Sequence, residues 1–231
     1  MKTVLITGAN RGIGLEFCKH YALLQWNVIA CCRHTASATE LSKLCVENTN
    51  VSIYKMDVTD SQSINNLVNN IEGKTIDLLI ANAGIYGDSI EHRFGNLNYD
   101  DWIKTIETNV FGVVRVIEAL IDNLKQSDAA CIAVLSSLMG SMDDNTSGGS
   151  LMYRSSKAAL NATMKSLSID LQTDNIGVVI FHPGWVKTDM GGQSALIDTH
   201  TSVTGMTEQI SHFKLAETGS FIKYDGKKLP W

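Results

Sequence analysis

Seven short apolar runs alternate with helical patterns along the whole chain, and that alternation limits the fold more than any single residue does. The runs are Val4-Leu5-Ile6, Asn27 to Cys32, Val51 to Met56, Ile76 to Ala81, Cys131 to Leu135, Gly177 to Phe181 and Ser220 to Tyr224. Between them, apolar residues recur at helical spacing, as in Ile13, Phe17, Cys18, Tyr21 and Leu24. Strands that read as unbroken apolar stretches are covered on both faces, and the intervening helices supply the covers. The expectation is an α/β fold, a doubly wound parallel sheet of about seven strands with helices on both faces.

Local signals set the expected boundaries. Thr59-Asp60-Ser61-Gln62 has capping-box spacing and predicts a helix carrying Ile64, Leu67, Val68 and Ile71. Helices are also expected around Ala36 to Val46 and from Ser150 to Leu171. Asp88 to Asn98 reads as a polar loop, and Tyr99 to Leu124 as one long helix or two. No repeat or linker interrupts the pattern, so residues 1–231 are expected to form a single domain.

Composition excludes some partners. Nineteen Lys and Arg against 24 Asp and Glu leave a formal charge of −5, which argues against nucleic acid or an anionic membrane as partner. No apolar run approaches the ~20 residues that span a bilayer. Met1 to Ile6 passes straight into a glycine-rich turn, without the h-region and cleavage site of a secretory signal. The five cysteines are odd in number and show no zinc-type spacing, and the histidines share no ligand spacing. Reduced thiols, a cytoplasmic protein and no metal are expected.

Chemistry concentrates in a few segments. Thr7-Gly8-Ala9-Asn10-Arg11-Gly12-Ile13-Gly14 follows the first strand and opens the first helix. Glycines there permit a tight turn and close approach of a pyrophosphate, and the helix N-terminus offers unpaired N–H groups to it. A carboxylate at the end of the second strand would hold the ribose 2′-OH of NAD(H). That strand instead ends Cys31-Cys32-Arg33-His34. Arg33 and Arg11 suit a 2′-phosphate, which favours NADP(H) over NAD(H).

Tyr153 and Lys157 stand four residues apart, on one face of a helix. An ammonium beside a phenol favours the phenolate. Moving the tyrosine from about 10 to about 7 corresponds to about 4 kcal/mol. Alone, the spacing is better read as a surface aromatic stacked on a lysine stem.

Taken together these segments resemble the classical short-chain dehydrogenase/reductase family over essentially the whole chain, with its single Rossmann-type domain. Thr7 to Gly14, with Gly8, Asn10, Arg11, Gly12, Ile13 and Gly14, resembles the family's TGxxxGxG cofactor loop. Ala81-Asn82-Ala83-Gly84 resembles its NNAG turn, with Ala81 in place of the first asparagine, which puts a sheet-stabilising contact in question. Asp57-Val58 resembles the pair that faces adenine. His182-Pro183-Gly184-Trp185-Val186-Lys187-Thr188 resembles the loop beside the nicotinamide and pyrophosphate. The resemblance implies cofactor contacts from Asn82, Ala83, Gly84, Tyr153, Lys157, Pro183, Gly184, Val186 and Thr188.

Asn109, Ser137, Tyr153 and Lys157 match the catalytic tetrad. Ser136 competes for the serine role, and Ser137 is preferred because it stands three residues before Gly140. Ser136 to Ser141, Tyr153 to Asn161, His182 to Gly192 and Tyr224 to Trp231 resemble the sniffer/C-factor-like carbonyl reductase branch.

What the resemblance implies is an NADPH-dependent reductase of an aldehyde, ketone or quinone. Tyr153 would be proton donor, Ser137 would orient the carbonyl, and Lys157 would hold the nicotinamide ribose. Asn109 would fix a water linking Lys157 to solvent. It also implies a substrate lid at about 190–212 and a homodimer or homotetramer through the helices of Tyr99 to Leu124 and Ser150 to Leu171. The other reading the branch offers is an NADP(H)-binding signalling or sensor protein of C-factor type acting through a partner. The loop from Gly140 to Ser150 fits either the border of a substrate mouth or a solvated excursion.

Overall fold

The seven apolar runs lie side by side in one sheet. A computed structural model describing residues 1–231 gives strands β1 (Thr3–Thr7), β2 (Asn27–Cys32), β3 (Val51–Lys55), β4 (Leu78–Ala81), β5 (Ala130–Leu135), β6 (Ile176–His182) and β7 (Ser220–Lys223). Every neighbouring pair is parallel, in the order β3-β2-β1-β4-β5-β6-β7. The helices are α1 (Gly12–Leu23), α2 (Thr39–Glu47), α3 (Ser61–Asn70), α4 (Tyr99–Ile106), α5 (Gly112–Ala119), α6 (Ile121–Lys125), α7 (Leu151–Asp170) and α8 (Thr199–His212). The doubly wound parallel sheet read from the alternation is the one observed, in the Rossmann-like form that the resemblance implies.

Strand pleating sorts each apolar run between two cores. Leu5, Ile29 and Leu79 face one way, onto α3, α5 and α7 through residues such as Leu67, Val113 and Leu160. Val4, Ile6, Val28 and Ile80 face the other way, onto Phe17 of α1, Leu41 of α2, and Val203 and Met206 of α8. Truncating a fully buried leucine or isoleucine such as Leu5 or Ile80 to alanine would cost about 2–5 kcal/mol. Strand order reverses between β1 and β4, so the helices after these strands leave on opposite faces. A crevice must therefore open at their carboxyl ends.

Several boundaries differ from the sequence reading. The cap of α3 is Asp60, whose carboxylate accepts the Gln62 N–H; the Thr59 hydroxyl instead donates to Asp57, so no Thr59 capping box forms. β4 begins at Leu78 because Ile76 gives its N–H to Asn123 outside the sheet. The Tyr99–Leu124 pattern is several pieces. α4 passes through a π-helical turn, Glu107–Phe111, into α5, and α6 restarts after Leu120. The final helix, α8, has too mixed a sequence for its period to show, yet it buries Val203 and Met206 against the sheet.

Candidate functional site

The crevice at the β1–β4 reversal is a cleft of about 450 Å3. Its floor is the turn after β1. Gly8 holds φ = +65°, where a side chain is strained, and a Cβ on Gly14 would collide with the Gly8 carbonyl. Asn10, Arg11, Gly12 and Ile13 line the cleft above that close contact, while Gly14 itself lies beneath, packed on Gly8. The first turn of α1 has no acidic residue and no side-chain cap at Arg11. A helix start leaves its first N–H groups without intrahelical partners, and here it lies at the cleft, an anion cradle of the kind that holds a pyrophosphate. The donor set and shape fit a dinucleotide.

The turn after β4 is tied to the turn after β1. Asn82 donates from Nδ2 to the carbonyls of Thr7 (2.8 Å) and Gly8 (3.1 Å). The Thr7 hydroxyl accepts the N–H groups of Asn82 and Ala83. Ala81 is buried in the sheet, so the contact put in question by the missing asparagine is supplied one residue later. Asn82, Ala83 and Gly84 all reach the cleft wall, as do Asp57 and Val58 after β3 and Arg33 after β2.

The reacting end brings α7 to the same cleft. Tyr153 and Lys157 both line it. Lys157 is buried and gives its ammonium to the Leu135 carbonyl at 2.8 Å. Burial pushes that lysine down to about 8. Burial likewise pushes the Tyr153 phenol up to about 12, a hydrogen bond from Ser137 acting the other way and Tyr86 adding to the rise. The expected depression of the tyrosine by its lysine is therefore not found in this arrangement. The ammonium lies 5.6 Å from the ring centroid, and loss of water around the phenol outweighs it.

The two serines divide their tasks. Ser136 lines the cleft, but its hydroxyl donates to Asn161 at 2.5 Å in the interior. Ser137 begins a turn, accepts the Met139 N–H and acts on the Tyr153 phenol without lining the cleft itself. Asn109 is buried inside the π-helical turn and does not line the cleft. Its side chain accepts the Ile85 N–H and donates to the Ile85 carbonyl and to Ser156.

The segment after β6 closes one side. Pro183 and Thr188 line the cleft, together with Lys187, Asp189 and Met190. Gly184 and Val186 lie behind it, Gly184 against Ile197 and Tyr224, and Val186 bridged to Ile197. Arg11 forms an ion pair with Asp189 across the cleft. That pair spans 178 positions, and nothing local in the sequence announces it.

Two further residues near Tyr153 escape a motif search. The Tyr86 ring lies 4.9 Å from the Tyr153 ring, and Asp88 accepts the backbone N–H of Tyr153. Tyr86 also borders a second cavity of about 640 Å3 that Ile90, Phe94, Gly149 and Leu151 help to line. The loop 142–149 is itself exposed, anchored by Ser141 and Asp143 on the Trp231 carbonyl and by Arg154 on Ser147 and Gly148.

Comparison with known proteins agrees with this geometry. A family model described as short chain dehydrogenase matches residues 2–196. The C-signal protein of Myxococcus xanthus is 40% identical over 156 residues, covering 68% of this chain and 93% of that protein. The solved carbonyl reductase Sniffer of D. melanogaster superposes with a TM-score of 0.92 at 36% identity, each chain covered in full. The NADPH-bound carbonyl reductase from chicken fatty liver superposes with a TM-score of 0.92 at 34% identity, covering 100% of this chain and 99% of that one.

Proposed function

The chain belongs to the short-chain dehydrogenase family of oxidoreductases, and on that premise we propose that it reduces a carbonyl compound to an alcohol with NADPH. The observation that carries the proposal is the single cleft lined by a glycine-rich turn at one end and by Tyr153 and Lys157 at the other.

The turn from Gly8 to Ile13 would hold the pyrophosphate, Arg11 and Arg33 the 2′-phosphate, and Asp57 and Val58 the adenine. Lys157 and Thr188 would hold the nicotinamide end. The chemistry that NADPH supplies when bound is a hydride for the carbonyl carbon. Tyr153 gives its proton to the oxygen as negative charge grows there, and Ser137 donates a hydrogen bond that orients it. A phenol held at about 12 stays protonated at neutral pH and is ready to donate. Lys157 is close enough to stabilise the phenolate left behind. As the resemblance implies, Asn109 would fix a relay water, and it lies in a π-helical turn, a feature frequent at functional sites.

The loop from Asp189 to Asp198 serves as the moving part of a lid, and α8 as its fixed base, because α8 is packed on the sheet. The 640 Å3 cavity behind Tyr86 receives the apolar body of the substrate. Exposed Tyr99, Ile103 and Phe111 give α4 and the π-helical turn an apolar outer face, which we assign to a homodimer. The five free cysteines suit the reducing cytoplasm.

Similarity to the C-signal protein favours one other reading, a signalling protein that binds NADP(H) and acts through a partner. NADPH consumption across a panel of aldehydes, ketones and quinones separates the two. Turnover of at least one carbonyl is expected. Tight NADPH binding with no turnover of any of them would move the assignment to the signalling reading.

A further inference from the structure

We propose that Asp88, assisted by Tyr86, is a positioning residue that sets the place of Tyr153 in the cleft; the inference rests on the proton-donor reading of Tyr153. The argument begins with how α7 starts. A helix leaves its first N–H groups without partners, and the residue before it usually caps them. Here that residue is Ser150, held at φ = +48° with no side-chain cap. Its hydroxyl is engaged by the Tyr86 hydroxyl at 2.6 Å.

The cap comes from a distant loop. Asp88 accepts the Met152 N–H on Oδ1 at 3.2 Å and the Tyr153 N–H on Oδ2 at 2.8 Å. Both carboxylate oxygens are thus fixed on the first turn of a 20-residue helix, at its positive end, where an anion is favoured. Two residues earlier, Tyr86 lays its ring on the Tyr153 ring at 4.9 Å and 37°. One loop therefore grips Tyr153 by its backbone and by its side chain.

The loop is itself held. Asn109 clamps Ile85 through both its N–H and its carbonyl, each at 2.8 Å, and reaches Ser156 at 2.9 Å. Gly87, at φ = +78°, lies so close to α4 that a Cβ would overlap the Thr105 hydroxyl. Ile85 to Asp88 is a short brace between the turn that carries Asn109 and the helix turn that carries Tyr153. Without the carboxylate, the first turn of α7 loses two of its partners, and the phenol moves relative to the cleft.

Asp88→Ala and Asp88→Asn are compared with the unchanged chain and with Tyr153→Phe. The readouts are kcat and KM for the panel carbonyl that the unchanged chain reduces fastest, NADPH affinity by fluorescence, and fluorine NMR of 3-fluorotyrosine placed at 153. For Asp88→Ala the expectation is a kcat lowered roughly ten- to a hundredfold, because misplacement of a reacting group by about 1 Å costs that much. NADPH affinity should hold, and the fluorine resonance should shift or broaden. Asp88→Asn keeps one acceptor oxygen and should recover part of the loss. A cap that served stability alone would lower the unfolding temperature and leave both kcat and the resonance as they were.

That last result, in either variant, overturns the proposal, and Asp88→Asn decides should the alanine variant not fold. If Tyr153→Phe keeps its turnover, the fault lies with the proton-donor reading instead. If no panel compound turns over, the fluorine resonance alone decides.

Discussion

The Lys157 ammonium lies 5.6 Å from the ring centroid of Tyr153 and gives its hydrogen bond to the Leu135 carbonyl, so lysine and tyrosine share a wall of the cleft without pairing. Burial alone holds the lysine at about 8. In the proposed carbonyl reduction the protonated lysine would be the active form, because it stabilises the phenolate. For the free protein, kcat/KM for NADPH should therefore be level at lower pH and fall as pH rises through about 8.

The same residue links to stability. A lysine whose folded value lies below its ordinary 10.5 is charged more readily in the unfolded chain, which then binds more protons between about 8 and 10.5. Stability should rise with pH across that window. Lys157→Met should abolish turnover and yet raise stability near pH 7 by about 1–2 kcal/mol, the gain from an unburied charge less the lost Leu135 bond. Thermal melts at pH 7 and pH 10 check it; a clear loss of stability at pH 7 would contradict it.

Much of this fold is legible from the sequence because parallel strands buried on both faces read as apolar runs. Val4-Leu5-Ile6 and Gly177 to Phe181, the centres of β1 and β6, need no tertiary information to be recognised. The motifs to which chemistry is assigned are equally local: the turn from Thr7 to Gly14, and a tyrosine and lysine one helical turn apart. What the sequence leaves hidden is set by contact across the chain. Asp88 caps a helix 64 and 65 positions away, and Arg11 meets Asp189 at a distance of 178. The direction in which Tyr153 shifts depends on how much water it loses, which no spacing reveals.

Arg11 and Arg33 should set the cofactor preference. An arginine–phosphate contact contributes about 1.5–3 kcal/mol, so Arg33→Ala should reduce the preference for NADPH over NADH by roughly ten- to a hundredfold. Arg11→Ala should reduce it similarly and also free the loop after Thr188, because its pairing with Asp189 is lost. Paired kcat/KM values for the two cofactors read the effect. An unchanged ratio in both variants would remove the 2′-phosphate assignment.

Ile103 is exposed on α4, with Tyr99 and Phe111 beside it along the same stretch of chain. If a second copy covers this face, Ile103→Asp buries a charge without a partner at the interface and should give a monomer. Light scattering on the unchanged and substituted chains measures this. An unchanged oligomeric mass would place any interface elsewhere.

The most direct test of the whole account is Tyr153→Phe, which removes one hydroxyl and keeps the ring that packs on Tyr86. Turnover of a carbonyl substrate and NADPH affinity are measured on the same preparation. The account predicts that reduction is lost, by roughly a hundredfold or more, while NADPH binds as before. A variant that binds NADPH and reduces the carbonyl at the original rate would show that Tyr153 does not supply the proton.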